Sequence, residues 1–225
     1  MRALVTGGHG FVGRHLAAHL LSCGDDVALT YYPGDPGYGN AVEIPRAVQS
    51  LALDITNSEM VNEVVSLLKP DAIYHLAGIS FVPHGEKDTN QIFAVNLFGT
   101  TNLLDAVLNY SRSSRVLFVS SAEVYGSPRP GGLPFTENSE LRPISAYGVT
   151  KAAADLSAFR CWFREQMHIV RVRPFPHIGP GQSDSFALSG FAKQIAAIKL
   201  GQQSPVIQVG SLDPKRDYSD VSDIV

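Results

Sequence analysis

Three residues whose types and spacing could support proton transfer lie in the second half of the sequence. Tyr147 and Lys151 stand four residues apart in SAYGVTK, a spacing that places both side chains on one face of a helix. An ammonium beside a phenol stabilises the phenolate, so the pair predicts a lowered pKa for Tyr147 and a proton donor or acceptor near neutral pH. Ser121, in SSAEVYG, could hydrogen-bond the same substrate oxygen. Because Tyr–Lys pairs of this spacing are also common on helix surfaces, the catalytic hypothesis depends on Ser121 and on the glycines described next.

A glycine-rich segment, LVTGGHGFVG at residues 4–13, is typical of a strand that turns into a helix able to hold a pyrophosphate. It fits G-x-G-x-x-G from Gly8 and G-x-x-G-x-x-G from Gly7. We favour the second register, in which Gly7 takes the tight turn, Gly10 admits phosphate and Gly13 lets the helix pack against the sheet. Gly8 then creates the other pattern by coincidence. Such turns also serve plain strand-to-helix packing, so dinucleotide binding is a hypothesis.

Short apolar, β-branched segments alternate with segments of helical period, which predicts an α/β fold with a doubly wound parallel sheet. Ligands are expected at the carboxyl ends of its strands. The predicted strands span residues 2–5, 26–31, 48–53, 71–76, 115–120 and 168–173. The predicted helices lie near residues 11–23, 57–68, 88–110, 146–167 and 185–200. Thr56 or Asn57 would cap the second helix, and Ser222 or Asp223 would cap a last one near the chain end.

The composition changes after residue 173, where the Pro- and Gly-rich segment PFPHIGPGQSDS follows the last predicted strand. We therefore expect a dinucleotide-binding domain at residues 1–173 and a partial substrate-binding lobe at residues 174–225. The second part is too short to be a domain of its own, which predicts that this sequence lacks the rest of the lobe.

Composition and charge exclude several classes of function. The 225 residues are 44% hydrophobic and 17% charged, with a formal net charge of −3. Lys and Arg do not cluster with aromatic residues, so we expect no nucleic-acid partner. The first residues, MRALVTGG, do not show the pattern of a signal peptide, and no apolar run is long enough to span a bilayer, so we expect no membrane partner. Cys23 and Cys161 match no metal-ligand spacing and are too few for a secreted disulfide framework, which predicts no metal and a cytoplasmic protein.

The second predicted strand does not identify the ribose partner of a dinucleotide. Its end, LTYYPGD, offers no acidic residue at the tip for NAD and no arginine for the extra phosphate of NADP. Asp25 and Asp26 precede the strand, and Asp35 lies in the loop after it. The choice between NAD and NADP is therefore open.

Together these motifs resemble the extended short-chain dehydrogenases/reductases that act on nucleotide sugars, the NAD-dependent epimerase/dehydratase family. The family is marked by T-G-x-x-G-F-x-G, a Ser or Thr at a strand end, and Y-x-x-x-K; residues 6–13, Ser121, Tyr147 and Lys151 fit these marks. The resemblance implies a Rossmann fold, an NAD(P) cofactor and a nucleotide-sugar substrate. It also implies a homodimer that pairs the two longest predicted helices, whose wide apolar faces could otherwise belong to the core.

The same resemblance implies roles for further residues. Asp54 and Ile55 would meet the adenine ring, HLAG at residues 75–78 would border the nicotinamide ribose, and Asn96 would steady the catalytic helix. Lys151 would hold the ribose and tune the phenol. The implied cofactor-binding residues are Gly7, Gly10, Phe11, Val12, Asp54, Ile55, Leu76, Ala77, Gly78, Asn96, Tyr147 and Lys151.

Within the family, the segments after residue 173 resemble GDP-4-keto-6-deoxy-D-mannose reductases and, more loosely, GDP-mannose 4,6-dehydratases. By that resemblance Arg216, Lys193 and Gln182 would contact the nucleotide diphosphate of the substrate, a task that suits the bidentate guanidinium of arginine. The implied reaction is reduction of a GDP-linked 4-keto-6-deoxy sugar, with Tyr147 supplying the proton and Ser121 polarising the oxygen.

Some positions depart from the relatives' pattern. Pro176 replaces the Asn of R-P-F-N-H, and His84 and Gly85 stand in a loop where relatives often have a serine, so the identity of the sugar is open. Glu123 matches the dehydratases' catalytic base, but Ala122 precedes it where those enzymes have Asp or Ser, which favours reduction. A 4,6-dehydratase or 4-epimerase, and a non-catalytic nucleotide sensor, are the alternatives.

Overall fold

The computed structural model describes residues 1–34, 42–80 and 88–225. Its main sheet has six strands in the order β3-β2-β1-β4-β5-β6, and every neighbouring pair is parallel. The predicted doubly wound sheet is therefore confirmed. Its strands are β1 (Arg2–Thr6), β2 (Asp26–Tyr31), β3 (Gln49–Ala52), β4 (Ala72–His75), β5 (Arg115–Val119) and β6 (Ile169–Val172).

The helices follow the strands in the predicted alternation. They are α1 (Phe11–Ser22), α2 (Ser58–Leu68), α3 (Thr89–Phe93), α4 (Gly99–Tyr110), α5 (Ala146–Glu165), α6 (Ala187–Lys199) and α7 (Val221–Ile224). The single helix predicted near residues 88–110 is divided, because a π-helical turn at Ala94–Phe98 separates α3 from α4. Wide turns of this kind frequently occur at functional sites. A 3₁₀ turn at Ala122–Tyr125 follows β5.

Alternation along β1 explains why helices cover both faces of the sheet. Ala3 and Val5 point into one core with Leu16 and Leu20 of α1, whereas Leu4 points into a second core packed by α2, α4 and α5. Both cores are apolar, so the carboxyl ends of the strands are left as the place where polar side chains gather.

A second, small sheet follows the first, formed by the parallel strands β7 (His177–Ile178) and β8 (Ser219–Asp220). The following helix α7 is capped by Asp220, whose Oδ1 accepts from the Ser222 amide at 2.8 Å. The predicted cap at Ser222 or Asp223 is therefore wrong, because the helix begins earlier, at Val221. The boundary at residue 173 stays a prediction.

Across the described ranges, no helix is both long enough and apolar enough to cross a membrane. In the same ranges, no group of three or more His, Cys, Asp or Glu side chains is placed to hold a metal ion. Both cysteines are free thiols; Cys23 is exposed and Cys161 is buried.

Candidate active site

The glycine turn lies between β1 and α1, beside the segment that follows β4. Gly7 has a φ of +67°, and a Cβ there would lie 2.9 Å from the Ala77 Cα. A Cβ on Gly13 would lie 2.6 Å from the Gly7 carbonyl oxygen. The Leu76 amide donates to the Thr6 carbonyl at 3.2 Å, which holds the two segments together. Gly7 and Gly13 thus meet the geometric demands of the favoured register.

The remaining two glycines of the turn differ in what surrounds them. A Cβ on Gly10 would contact only the Gly7 oxygen, at 3.1 Å, among described atoms within 4 Å. Gly10 therefore leaves open space at the N-terminus of α1, where free N–H groups suit a pyrophosphate. A Cβ on Gly8 would lie 2.8 Å from the Leu29 Cβ. Close packing of β2 therefore requires a glycine at this position, while the assignment of the phosphate register to Gly7, Gly10 and Gly13 stays a prediction.

The proton-transfer candidates meet where the 3₁₀ turn approaches the first turn of α5. Ser121 is the N-cap of the 3₁₀ turn; its hydroxyl accepts from the Glu123 amide at 3.2 Å and lies close enough to the Tyr147 phenol to lower the pKa of that phenol. A Cβ on Gly148 would lie 2.8 Å from the Glu123 carbonyl oxygen, so the missing side chain lets these two elements approach. We call Ser121 and Tyr147 the Ser–Tyr pair.

The phenol of the Ser–Tyr pair stays protonated at neutral pH. Burial raises the pKa of Tyr147, the neighbouring Ser121 hydroxyl lowers it, and the charge of Glu123 raises it further, with a net upward shift. The expected lowering of the Tyr147 pKa by Lys151 is wrong for this structure, because desolvation outweighs the interactions that favour the phenolate. A phenol in this state can serve as a proton donor.

Lys151 is buried directly behind the end of β5. Its Nζ donates to the Val119 carbonyl at 2.6 Å and lies 5.3 Å from the centre of the Phe118 ring. Burial lowers the pKa of Lys151 to about 8, against an opposing effect of Asp155. The ammonium is therefore held at the same strand end as the Ser–Tyr pair.

Asn96 joins three elements around this centre. It lies in the π-helical turn, accepts from the Ile79 amide at 2.8 Å and donates to the Ile79 carbonyl at 3.0 Å. It also donates to Thr150 Oγ1 at 3.2 Å, on the helix that carries the catalytic candidates. A Cβ on Gly78 would lie 3.0 Å from Asn96 Oδ1 and 3.9 Å from Lys151 Nζ. The ends of β4 and β5, the π-helical turn and α5 thus converge.

Two of the implied cofactor-binding residues begin α1. Val12 is half-buried, and the ring of Phe11 lies 6.2 Å from that of His177 and 5.5 Å from that of His15. His15 Nε2 in turn lies 2.9 Å from the Pro180 carbonyl oxygen. The helix that follows the glycine turn therefore also contacts the segment after residue 173.

The two residues expected at the adenine ring have other partners. Ile55 is buried, and a Cβ on Gly99 would lie 2.6 Å from its Cγ2, so at this residue only the backbone could meet a ring. Asp54 Oδ1 accepts from the amide and hydroxyl of Thr56, at 2.9 and 2.7 Å. Their contact with adenine stays a prediction.

The implied substrate-binding residues lie in the second part of the chain and bond locally. Gln182 Nε2 donates to the His177 carbonyl at 2.9 Å, and Lys193 forms an exposed ion pair with Asp184. Arg216 is exposed and donates to the carbonyl of the preceding residue at 2.8 Å. Within the described ranges, no hydrogen bond or ion pair links these three side chains to the Ser–Tyr pair.

A buried charge cluster beside the site was missed from the sequence. Asp155 is fully buried and forms ion pairs with Arg171 and Arg173 of the β6 region. Burial alone would raise the pKa of Asp155, but the hydrogen bonds and charges of Arg173 and Arg171 lower it. Asp155 stands four residues after Lys151, so the spacing Y-x-x-x-K-x-x-x-D could have revealed it.

The two described acidic residues that precede or begin β2 lie away from its carboxyl end. Asp25 pairs with the terminal ammonium and Asp26 with Arg2, both at the amino end of the strand. At the other end, the His9 ring lies 4.9 Å from the Tyr31 ring. Three residues of interest, Asp35, His84 and Gly85, lie outside the described residues.

The family model described as GDP-mannose 4,6 dehydratase matches residues 4–225. The chain belongs to this family. A GDP-6-deoxy-D-mannose reductase from Pseudomonas aeruginosa is 35% identical over 224 residues, which cover 100% of this chain and 68% of the relative. The family expected from the sequence is therefore confirmed, together with membership in a group of nucleotide-sugar enzymes.

Solved structures of family relatives share the fold. RMD from Pseudomonas aeruginosa, complexed with NADPH, matches with a TM-score of 0.83 at 35% identity, over 99% of this chain and 70% of that one. The UDP-glucose 4-epimerase of Thermus thermophilus, complexed with NAD, matches with a TM-score of 0.87 at 28% identity, over 100% and 72%. The family's Rossmann-type sheet is thus present in this chain.

Proposed function

We propose that this protein is an NAD(P)-dependent oxidoreductase that reduces the 4-keto group of a GDP-linked 6-deoxy sugar. The observation that carries the proposal is the Ser–Tyr pair, a half-buried phenol with a raised pKa that lies beside a hydroxyl at the end of β5. A protonated phenol suits reduction, which begins with a proton donor. The reductase from Pseudomonas aeruginosa supports the same direction.

The residues around the strand ends fit a dinucleotide. Gly7 and Gly10 would receive the pyrophosphate at the N-terminus of α1, and the segment after β4 would border the nicotinamide ribose. Ser120 Oγ is buried and has no hydrogen-bond partner in the described part of the chain, so it offers one more polar contact. When bound, the cofactor supplies the hydride for the keto carbon. NADPH and NAD both occur in the family's solved relatives.

Each side chain near the sugar would then have one task. Tyr147 would donate its proton to the keto oxygen as that oxygen gains charge, and Ser121 would hydrogen-bond the same oxygen. Lys151 would stabilise the resulting phenolate and hold the ribose hydroxyls. Gln182, Lys193 and Arg216 would bind the substrate's diphosphate in the lobe at residues 174–225, which requires Lys193 to exchange its partner Asp184.

The second candidate is a 4,6-dehydratase or 4-epimerase. Glu123 favours it, because this carboxylate lies close enough to act electrostatically on the Tyr147 phenol. The epimerase from Thermus thermophilus supports the same alternative through its fold. Both reactions would begin with removal of a proton, a task that the raised Tyr147 pKa makes harder.

The deciding experiment supplies the purified protein with GDP-4-keto-6-deoxy-D-mannose and NADPH or NADH. We expect cofactor oxidation coupled to formation of the GDP-6-deoxy sugar. In parallel, the protein receives GDP-mannose or UDP-glucose without reduced cofactor. A 4-keto product or a 4-epimer in those reactions, with no reduction in the first, would assign the second candidate. Cofactor binding without turnover of any sugar would assign the sensor.

We also propose that the protein is a cytoplasmic homodimer. On α5, Phe159, Trp162 and Phe163 form an exposed aromatic face, with ring centres 5.6 to 6.3 Å apart. Exposed apolar surface of this kind commonly marks an interface. The two free cysteines support a reducing compartment.

Light scattering tests the dimer. We expect twice the mass of the chain at micromolar concentration and a monomer for Phe163→Glu. The control is Leu212→Glu, at an exposed apolar residue in the second part of the chain, which should remain a dimer. A wild-type monomer would contradict the proposal.

A further inference from the structure

A buried histidine that has no role in the proposed reaction lies at the carboxyl end of β4. His75 is 2% exposed. Its Nδ1 lies 2.7 Å from Thr6 Oγ1, and its Nε2 lies 3.0 Å from Thr100 Oγ1. Thr6 Oγ1 also accepts from the Ala77 amide at 3.2 Å, and Thr100 Oγ1 donates to the Asn96 carbonyl at 2.7 Å. These contacts form one continuous buried chain, which we call the His75 chain.

The direction of every bond in the His75 chain follows from its two ends. A carbonyl oxygen only accepts, so the Thr100 hydroxyl donates its one proton to the Asn96 carbonyl. It must therefore accept from His75 Nε2–H. A backbone amide only donates, so Thr6 Oγ1 accepts from Ala77. A neutral His75 with Nε2 protonated then accepts at Nδ1 from the Thr6 hydroxyl, and all four bonds are made.

The other tautomer satisfies fewer groups. With the proton on Nδ1, the Thr100 hydroxyl would donate to His75 Nε2, and the Asn96 carbonyl would lose its bond. A doubly protonated ring would donate to Thr6 Oγ1 from Nδ1, and the Thr6 hydroxyl proton would lose its acceptor. Burial and the nearby Lys151 charge lower the pKa of His75 to about 3, so the ring is neutral at physiological pH.

Each end of the His75 chain reaches a segment that the proposed function assigns to the cofactor. At one end, Thr6 precedes Gly7, and Ala77 lies against Gly7. At the other end, Asn96 binds Ile79 and the catalytic helix. Buried polar bonds of fixed direction connect the two ends through the core.

We propose that His75 is a positioning residue whose neutral, Nε2-protonated ring fixes the cofactor-binding edge at Ala77 and Gly78 relative to Asn96. The proposal rests on the proposed function, because it assumes that the dinucleotide binds along this edge. His75 would touch neither cofactor nor substrate. Removing one hydroxyl from the chain would leave a buried donor or acceptor unpaired and displace the edge.

The first measurement is the tautomer itself, from ¹⁵N NMR of the imidazole nitrogens of the protein without any ligand. We expect one ring with a protonated Nε2 and an unprotonated Nδ1 between about pH 5 and pH 8. A protonated Nδ1, or a mixture of tautomers, would overturn the proposal. This readout needs no variant, so it does not depend on whether a substituted chain folds.

The second measurement compares Thr100→Val with Thr100→Ser. Valine keeps the shape of threonine but removes the hydroxyl, whereas serine keeps the hydroxyl. Titrations with NADPH and NADH should show about tenfold weaker binding for Thr100→Val and a change within about twofold for Thr100→Ser. Ile73→Val, on the same strand but outside the His75 chain, controls for a general loss of core packing.

The outcomes separate this inference from the proposed function. Equal affinities of Thr100→Val and Thr100→Ser would overturn the His75 proposal alone. A wild-type protein that binds neither NADPH nor NADH would contradict the proposed function and, with it, the assignment of this edge to a cofactor. Cofactor binding with the expected tautomer, but without sugar reduction, would leave the His75 proposal intact and refute the reductase.

Discussion

The α5 region and the segment after residue 173 hold their charged side chains in opposite ways. Asp155 is fully buried between Arg171 and Arg173, whereas Asp184 and Lys193 pair at the surface with side chains 50% and 70% exposed. Removing one partner of a buried cluster costs about 3–5 kcal/mol, whereas an exposed pair contributes about 0–1 kcal/mol. The fold therefore fixes one region firmly and leaves the other free to exchange partners.

This difference agrees with the proposed function, which assigns proton transfer to the α5 region and substrate recognition to the segment after residue 173. Lys151 and Asn96, beside the Ser–Tyr pair, are held by hydrogen bonds between four elements, so their geometry is set before any ligand arrives. By contrast, α6 buries none of its residues fully, and the residues implied in diphosphate binding bond to their own neighbours. Five experiments test whether the two regions differ in this way.

The largest effect is expected from Tyr147→Phe. Loss of the proton donor should lower kcat by about 10²–10⁴-fold, since a positioned general acid contributes that much. Because the phenol's hydroxyl is not needed for packing, the free energy of unfolding and the Kd for NADPH should change little. Tyr110→Phe, which removes an exposed hydroxyl from α4, is the control. A Tyr147→Phe enzyme with wild-type turnover would contradict the assigned donor.

Asp155→Ala should cause the largest loss of stability, about 3–5 kcal/mol by urea denaturation at pH 7, because two guanidinium groups lose their buried partner. The lowered pKa of Asp155 means that its contribution is complete above the unfolded value, near pH 4, and declines as pH falls through the folded value. The difference in free energy of unfolding between Asp155→Ala and the wild type should therefore become smaller in acid. Asp184→Ala is the matched control at the surface, and an equal loss in both variants would refute the comparison.

Much of the firm region could be predicted from the sequence because its signals are local. Short apolar, β-branched segments between segments of helical period located all six strands of the main sheet. Asn57 caps α2 as predicted, accepting from the Glu59 and Met60 amides at 3.0 and 3.1 Å. The i to i+4 spacing placed Tyr147 and Lys151 on one helix. The apolar segment at residues 115–120 predicted a strand and so placed Ser121 at its carboxyl end.

What could not be predicted depends on contacts between distant segments. The raised pKa of Tyr147 comes from burial, which no spacing reveals. Asp155 meets Arg171 and Arg173 only because β6 lies beside β5, and His75 meets Thr100 across the core. The division of the helix after residue 88 likewise has no counterpart in hydrophobic periodicity, because a π-helical turn changes it by a single residue.

Gly10→Ala tests the phosphate position without disturbing the fold. Gly10 has a φ of −72°, which alanine adopts freely, and the new Cβ would meet only the Gly7 oxygen at 3.1 Å among described atoms. Stability should change little, whereas crowding of the ligand by about 1–3 kcal/mol should raise the Kd for NADPH about 5- to 150-fold. Gly210→Ala, in open space, is the control. Unchanged NADPH binding would place the pyrophosphate elsewhere.

Raising the pH should affect activity and stability in opposite directions. The Lys151 ammonium, with a pKa of about 8, loses its charge above that pH while Tyr147 stays protonated, so kcat/KM for the cofactor should fall by up to about tenfold per pH unit. Because the folded pKa lies below the unfolded value near 10.4, the unfolded chain binds more protons between these values, and this group's contribution to stability rises. Parallel pH profiles of kinetics and urea midpoints measure both. A kcat/KM that stays level to about pH 10 would remove Lys151 from the mechanism.

The smallest effect on stability, below about 1 kcal/mol, is expected from Lys193→Gln, since the Lys193–Asp184 pair is exposed. If Lys193 leaves Asp184 to bind the substrate's diphosphate, the same variant should raise KM for the GDP-linked sugar about tenfold while kcat stays near its wild-type value. Lys199→Gln, at the last residue of α6, is the control for a change of charge alone. Equal KM values for Lys193→Gln and Lys199→Gln would show that Lys193 does not bind the substrate. A raised KM at unchanged stability would show that Lys193 binds the substrate. It can do so because its exposed ion pair with Asp184 is weak enough to be exchanged for the diphosphate.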